Sequence, residues 1–513
     1  MSRVKVSGFI GVMVMVLTLI GVWGERGFQT HLAQAAEEYE HLRIGLSRDV
    51  TSLDPLGYPS LDRPEFNVQQ CMFDLLLRRN EEGKIVGHLA TDYKWLNEKT
   101  MRINLRKGIT FQNGEKFTAA DVKWSFEDML QSKRSPGLIG AVKGIEKIVA
   151  VDDYTVDIHT TEPIPTLPSK LSCYTLMVSS KQRANVDPSV YANNPIGTGP
   201  FKLVEWKKGD RVVLERNENY WRGVPKIKKL TFFTIPDAST RIAALKSGTI
   251  DIAVDIPPSL AKELKGVSDV EITAVPSVRV NWIYLRGDAP PLKDKRVRQA
   301  MNYAVNKEEV IATLLEGYGL AMNQAVPPSF FGYNPDLKPY TYDPEKAKQL
   351  LKEAGYQKGF SVRFEVPSLW EEMARAVAGY LTAVGIDCKM EIKDLKAAYA
   401  DVLERKASPM LLFSWGNWSL LDIDGTLSDV FGCEGKWSYF CHPRIQELIK
   451  ELRTIDPQKR QKAAMETERI LHEETPMIFL FTQYDIHGKR KGIPEFKARE
   501  DNTIWVNWVK GDK

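Results

Sequence analysis

KTMRINLRKGITFQNGEKFTAADVKWSFEDML, residues 99–130, decides the class of fold. Met101, Ile103 and Leu105 alternate with polar residues, as in a strand with one face buried. Gln112-Asn113-Gly114 then supplies a turn. Thr118 offers an N-cap for a helix whose apolar side runs through Val122, Trp124 and Phe126. Strand, turn and capped helix in one short stretch predict a mixed α/β chain. None of these residues forms a reactive constellation.

The same alternation of elements continues outward. Residues 41–46 read as a first strand, stopped by Leu53-Asp54-Pro55, and 64–77 as a helix. Residues 145–160 read as a hairpin turning at Asp152-Asp153. The breaker cluster NNPIGTGPF (193–201) marks a crossing between domains; no Gly-Lys-Ser/Thr follows, so it is not a phosphate loop. Strands at 211–214 and 229–235, a helix at 238–246 and a strand at 250–254 imply a βαβ unit. Past Asp288 long helices are expected at 294–315, 343–354 and 371–384, with strands at 361–366 and 388–392 and a helix at 395–404. The basic run KDKRVR reads as a solvated face. A helix at 457–472, an apolar strand at 477–481 and the strand-like TIWVNW (503–508) complete the chain.

At 513 residues the chain is too long for one core, so two or three domains are expected. With 43% hydrophobic and 27% charged residues, it is neither a multi-span membrane protein nor a disordered chain. A net charge of +4 without a basic, aromatic-interleaved stripe gives no reason to expect nucleic acid. Arg3 and Lys5, an apolar run from Phe9 to Trp23 and the small-x-small Ala33-Gln34-Ala35 have the order of a secretory leader, 1–35, cut near Ala35. The apolar run is short of the ~20 residues that a spanning anchor needs. Five cysteines, Cys71, Cys173, Cys388, Cys433 and Cys441, leave at least one unpaired within the chain. Cys433 and Cys441 lie close enough to close a short loop, a bond that export would permit. His442 is the one histidine nearby, so neither a zinc site nor any other metal or cofactor is expected.

LLFSWGNWSLLDIDG (411–425) is the candidate working surface. An apolar strand feeds into Trp415, Gly416, Asn417 and Trp418, and Asp422 and Asp424 follow. In a cleft wall, the rings would grip a ligand and an acid would fix its charge. Equally, the tryptophans are core residues and the aspartates solvated turn acids. HExxH, GxSxG, P-loop and paired CxxC motifs do not occur. Asp422 and Asp424 could pair as acid and base in a secreted hydrolase, but two apart on a strand they point to opposite faces.

Taken together, HLATDYKWLNEKTMRINLRKGITFQNGEKFTAADVKWS (88–125), LDP (53–55), NPIGTGPFKLVEW (194–206), RNENYW (216–221), RVRQAMNYAVNKEEV (296–310) and YDPEKAKQLLKEAGY (342–356) resemble a known family. It is the extracytoplasmic solute-binding proteins of ABC transporters, family 5, of oligopeptide, dipeptide, glutathione and nickel type. The resemblance covers nearly the whole mature chain. It implies an α/β, two-lobed periplasmic-binding-protein fold with a hinge and an additional inserted domain. Lobe I would comprise 41–85, 195–285 and 487–513; inserted domain II, 86–194; lobe III, 286–486. The implied function is capture of a peptide-like or amine-bearing solute in a closing cleft, without catalysis. A monomer would deliver it from the periplasm to the permease and ATPase subunits of an inner-membrane importer. A hydrolase using Asp422 and Asp424, or a surface chaperone or adhesin-like binder, are the alternatives.

The resemblance also implies site residues. Ligand would pair between Tyr58, Pro59 and Ser60 on one wall and Trp415, Gly416, Asn417 and Trp418 on the other. Asp422 is the first candidate for the ligand's amine and Asp424 the second, although both lie farther behind the tryptophan than is usual. PSLWEEM (367–373) has no arginine before Arg375, where dipeptide-type relatives present one, which argues against a simple free dipeptide. The Cys433 and Cys441 spacing resembles a disulfide loop of some members.

Overall fold

The computed structural model describes residues 38–57, 63–131, 136–173, 175–184, 186–416, 420–494, 496–501 and 503–506. An eleven-stranded sheet organises the molecule. Its order is Ile386–Lys393, Phe360–Pro367, Met410–Gly416, Val270–Leu285, Met477–Arg490, Ile252–Ala253, Tyr39–Leu46, Ile227–Thr234, Arg211–Arg216, Phe201–Lys207, with Gly319–Ala321 also pairing on Met477–Arg490. The expected βαβ unit is present, with Tyr39–Leu46 slotted parallel between its two strands.

Two strands join the lobes. Val270–Leu285 runs antiparallel to Met477–Arg490, and the register breaks between Pro276 and Val280, opposite Tyr484 and Thr482. Proline brings no N–H to a ladder, and an irregularity there bends the pair. The Thr482 hydroxyl stands 2.5 and 2.8 Å from the carbonyl oxygens of Ser277 and Arg279, within reach to donate its one hydrogen to either beside the broken ladder. On one side of the break the pair is flanked by Ile252–Ala253, and on the other by Met410–Gly416 and Gly319–Ala321. The crossing therefore falls several residues before the expected boundaries at 285/286 and 486/487. The 270–285 strand itself was not expected.

Lobe III has a core on each face of its sheet, because alternate side chains point to opposite sides and an irregularity opposite Asn281 and Trp282 turns Phe479 and Phe481 to different faces. Trp282, Phe413, Phe431 and Phe479 fill one face, and Ile283, Phe364, Leu412 and Phe481 the other. The inserted part is a four-stranded antiparallel sheet, Ala90–Asn97, Thr100–Leu105, Thr155–Thr160 and Ile145–Asp152, against the helix Ala119–Gln131. That helix starts where expected. Its first turn is held by Asp121, which accepts the Thr118 backbone N–H (2.9 Å) as well as the Ser180 N–H and hydroxyl.

Three expectations are corrected. The helix expected at 294–315 is two, Lys295–Ala304 and Lys307–Leu314, because Val305 is extended and the Asn306 side chain caps the Glu309 N–H. The helix expected to reach 77 ends at Met72, before the short strand Leu77–Arg79. The basic run at 293–298 is not wholly solvated. Arg298 is buried and donates to the carbonyls of Leu292, Lys293, Glu474 and Thr475, joining two helix ends.

The 193–201 cluster is a close-packing site. A Cβ on Gly197 would sit 2.1 Å from the Met72 carbonyl oxygen, and one on Gly199 2.4 Å from the Met72 carbonyl carbon. Gln112 fastens the same point, its amide donating to the carbonyls of Met72, Gly199 and Phe201. Gly197→Ala is expected to lower unfolding free energy by about 3 kcal/mol, the upper end for overpacking. Gly379→Ala, where nothing lies within 4 Å of the added carbon, is the control. Urea denaturation of both variants checks this, and equal midpoints would refute it.

Candidate functional site

Met410–Gly416 carries an apolar run into the edge of the cleft. Leu411, Leu412 and Phe413 are buried, and Trp415 is half-buried, stacked on Phe413 at 5.9 Å and tilted against Trp437. Among the described residues, none accepts a hydrogen bond from the buried indole Nε1 of Trp415.

The chain then turns sharply. Leu421 adopts φ 49°, a left-handed conformation that leucine rarely takes, and its carbonyl accepts the Phe331 N–H (2.9 Å). Leu420 offers its carbonyl oxygen to Arg79 Nη2 at 2.8 Å, which joins lobe III to the other side of the cleft. Asp422 is paired with Arg460 through two parallel bonds, 2.7 and 2.6 Å, with side chains only 6% and 8% exposed. It also accepts the Asp424 N–H.

One helix supports this turn. Pro457–Glu474 places Arg460 under Asp422, with Phe331 stacked 4.4 Å from the guanidinium. Two turns on, the fully buried Glu468 accepts the N–H groups of Ala325 and Val326, fixing the loop that leads to Phe331. Burial raises the Glu468 carboxyl to about 8.

Asp424 has different surroundings. It is half-buried, and it lines a cavity of about 840 Å³ together with Trp415, Leu420, Gly425, Ser428, Asp429 and Arg453 of lobe III. Residues 140, 141, 143–145, 161–166 and Lys170 of the inserted domain form the opposite wall. Burial first, and then the Asp422 charge, push the Asp424 carboxyl up to about 6; Arg460, Arg453 and Lys170 act the other way. Glu162 and Arg453 bridge the two walls at 2.5 Å. The site thus presents an aromatic face and an acid on one wall and amines on the other.

Tyr58, Pro59, Ser60, Asn417 and Trp418, and the leader 1–35, lie outside the described residues. Trp415, Gly416, Asp422 and Asp424 are brought to one wall. Lys170, Arg79 and Arg460 were not foreseen. Arg460 did carry a signal: with Ala463, Ala464, Thr467 and Glu468 it occupies the buried face of an amphipathic helix, where a charge needs a partner.

Residues 84–438 match the family described as "Bacterial extracellular solute-binding proteins, family 5 Middle". The chain belongs to this family. Among curated relatives, the glutathione-binding protein GsiB of Salmonella choleraesuis (strain SC-B67) is 28% identical over 480 residues, covering 89% of this chain and 92% of its own. Two solved structures cover nearly all of both chains. HbpA2 from Haemophilus parasuis superimposes with a TM-score of 0.82 at 22% identity, covering 91% of this chain and 100% of its own. The periplasmic binding protein DppA from Helicobacter pylori, in complex with the peptide STSA, gives 0.71 at 25% identity, covering 92% and 97%. Family 5 proteins of this fold are two-lobed binding proteins, and the crossing strands and cleft of this member fit that architecture.

In this family member Cys433 and Cys441 form a disulfide, while Cys71, Cys173 and Cys388 form none among the described residues. Arg375, beyond the PSLWEEM segment, is paired with Glu371 of its own helix. Among the described residues, no cluster of three or more His, Cys, Asp or Glu could hold a metal ion, and no helix is long and apolar enough to cross a membrane.

Proposed function

We propose that this protein captures a peptide-like, amine-bearing solute between its lobes and delivers it to the permease and ATPase subunits of an importer, without catalysis. The observation that carries the reading is the cavity between the inserted domain and lobe III, lined by Trp415 and by a carboxylate, Asp424, that no described residue neutralises through an ion pair. Asp424 is the acid we assign to the solute's amine, since Asp422 is occupied by Arg460. Trp415 and Gly416, continued by Asn417 and Trp418, form one wall, with Tyr58, Pro59 and Ser60 assigned to the wall opposite. The lobes are divided close to the bounds the sequence suggests, with the crossing moved back to the break between Pro276 and Val280, and the protein acts in the periplasm as a monomer, after removal of its leader near Ala35. Nucleic acid plays no part.

Closure follows from the two-strand connection. A solute touching both walls makes all its contacts only in the closed form, and so shifts the population towards it. The hydrolase alternative lacks support, because an acid/base pair needs both carboxylates at the substrate and Asp422 is buried in an ion pair.

The test is thermal unfolding against a library of tripeptides and glutathione. A solute at 100 times its Kd stabilises the protein by about 2.7 kcal/mol, with a change in tryptophan fluorescence expected from Trp415. No shift with any of these solutes would refute a peptide-like ligand. Release of a cleaved product would favour the hydrolase.

A further inference from the structure

The charged groups lining the cavity are sorted by wall. The inserted domain contributes Lys143 and Lys170, and lobe III contributes Asp424 and Asp429. Glu162 and Arg453 also line it but neutralise each other. Lys143 and Asp429 are exposed and keep their water, whereas Lys170 and Asp424 are half-buried.

Lys170 lies in the short helix Leu167–Leu171, whose Leu167, Pro168, Ser169 and Leu171 are buried, so its backbone is firmly seated. No described residue forms a hydrogen bond or ion pair with its ammonium group. Asp424 is near enough to raise its proton affinity, but not near enough to pair. Burial dominates and draws the Lys170 pKa down. A desolvated ammonium without an anion is an uncompensated charge, and a carboxylate placed against it forms a strong, charge-assisted hydrogen bond.

We propose that Lys170 anchors the carboxylate end of the solute from the inserted domain, across the cavity from Asp424, so that the site selects a dipolar, zwitterionic solute and fixes its direction. The assignment rests on the solute-receptor reading above. A plain anion meets Asp424 and Asp429, and a plain cation meets Lys143 and Lys170; a solute charged oppositely at its two ends satisfies both walls. The cavity volume of about 840 Å³ lies within the range of small-molecule sites.

The experiment takes the tripeptide captured best from a mixed tripeptide library by the full chain, resynthesises it as the free acid and as the C-terminal amide, and titrates each calorimetrically. The wild type should bind the amide about tenfold or more weakly than the acid. Lys170→Met should bind the two alike, and Lys170→Arg should restore the preference. Wild-type binding of acid and amide with equal affinity overturns the role of Lys170 and leaves the receptor reading intact. So does an undiminished preference in Lys170→Met. Capture of no tripeptide overturns both. The acid and amide comparison on the wild type needs no variant, so it stands even if Lys170→Met fails to fold.

Discussion

Arg460→Met should destabilise the ligand-free protein by about 3–5 kcal/mol, the cost of leaving one member of a buried ion pair alone. Asp422 would lose both bonds of the Arg460 fork while remaining sealed from water. Pairing the substitution with Asp422→Asn should recover part of the loss, because the stranded charge is removed while an oxygen remains for the Asp424 N–H. Urea denaturation without ligand reads both variants. An Arg460→Met protein as stable as wild type would mean that Asp422 is solvated, and would return it to the ligand's amine as a candidate. The sign separates the two roles. A structural acid lowers stability of the empty protein when its partner goes, whereas a ligand acid lowers affinity and leaves the empty protein untouched.

Affinity for an amine-bearing solute should fall as pH drops through about 6, by up to tenfold per pH unit below that value, as the proton displaces the solute from Asp424. The contribution of this group to stability runs the other way. Its folded pKa is raised above the ordinary aspartate value, so the native state binds the proton more tightly than the unfolded chain. The resulting stabilisation is fully present below about pH 4 and is lost as pH rises through about 6. Acid should therefore weaken binding while favouring the empty fold at this position. Calorimetric titration of the captured solute between about pH 5 and 8 checks the first half, with Asp424→Asn expected to bind weakly and to flatten the profile. An unchanged profile in Asp424→Asn would assign the titration to another group.

The elements of the fold were legible where local rules dominate. Alternation gave three of the four strands of the inserted sheet, Ala90–Asn97 going unread, and the Asp152-Asp153 turn gave the hairpin of two of them. Gly248 closes the helix Ala238–Ser247 in a left-handed conformation, as a glycine after a helical run should. Reading failed where a residue serves distant chain. Val270–Leu285 went unread because its first half is mostly half-buried and is interrupted by Pro276, although Val270 and Ile272 alternate with polar residues. Arg298 looked solvated because its acceptors lie at 292–293 and 474–475, the latter far away in sequence. In the site, the strand and its tryptophan were visible, but the roles of two aspartates two positions apart were not. Which of them meets an arginine depends on a helix that begins at Pro457, and Lys170 comes from a different domain with no linear signal.

The interrupted ladder at Pro276–Val280 has a bearing on selectivity. A residue on the crossing strands that touches no solute can alter only the fraction of molecules poised to close, and this fraction multiplies every solute's affinity by the same factor. Changes there should act as a volume control common to all ligands, whereas changes at Trp415, Asp424 or Lys170, the solute contacts proposed above, should re-rank them. Tuning of strength and choice of cargo can therefore drift independently in this protein.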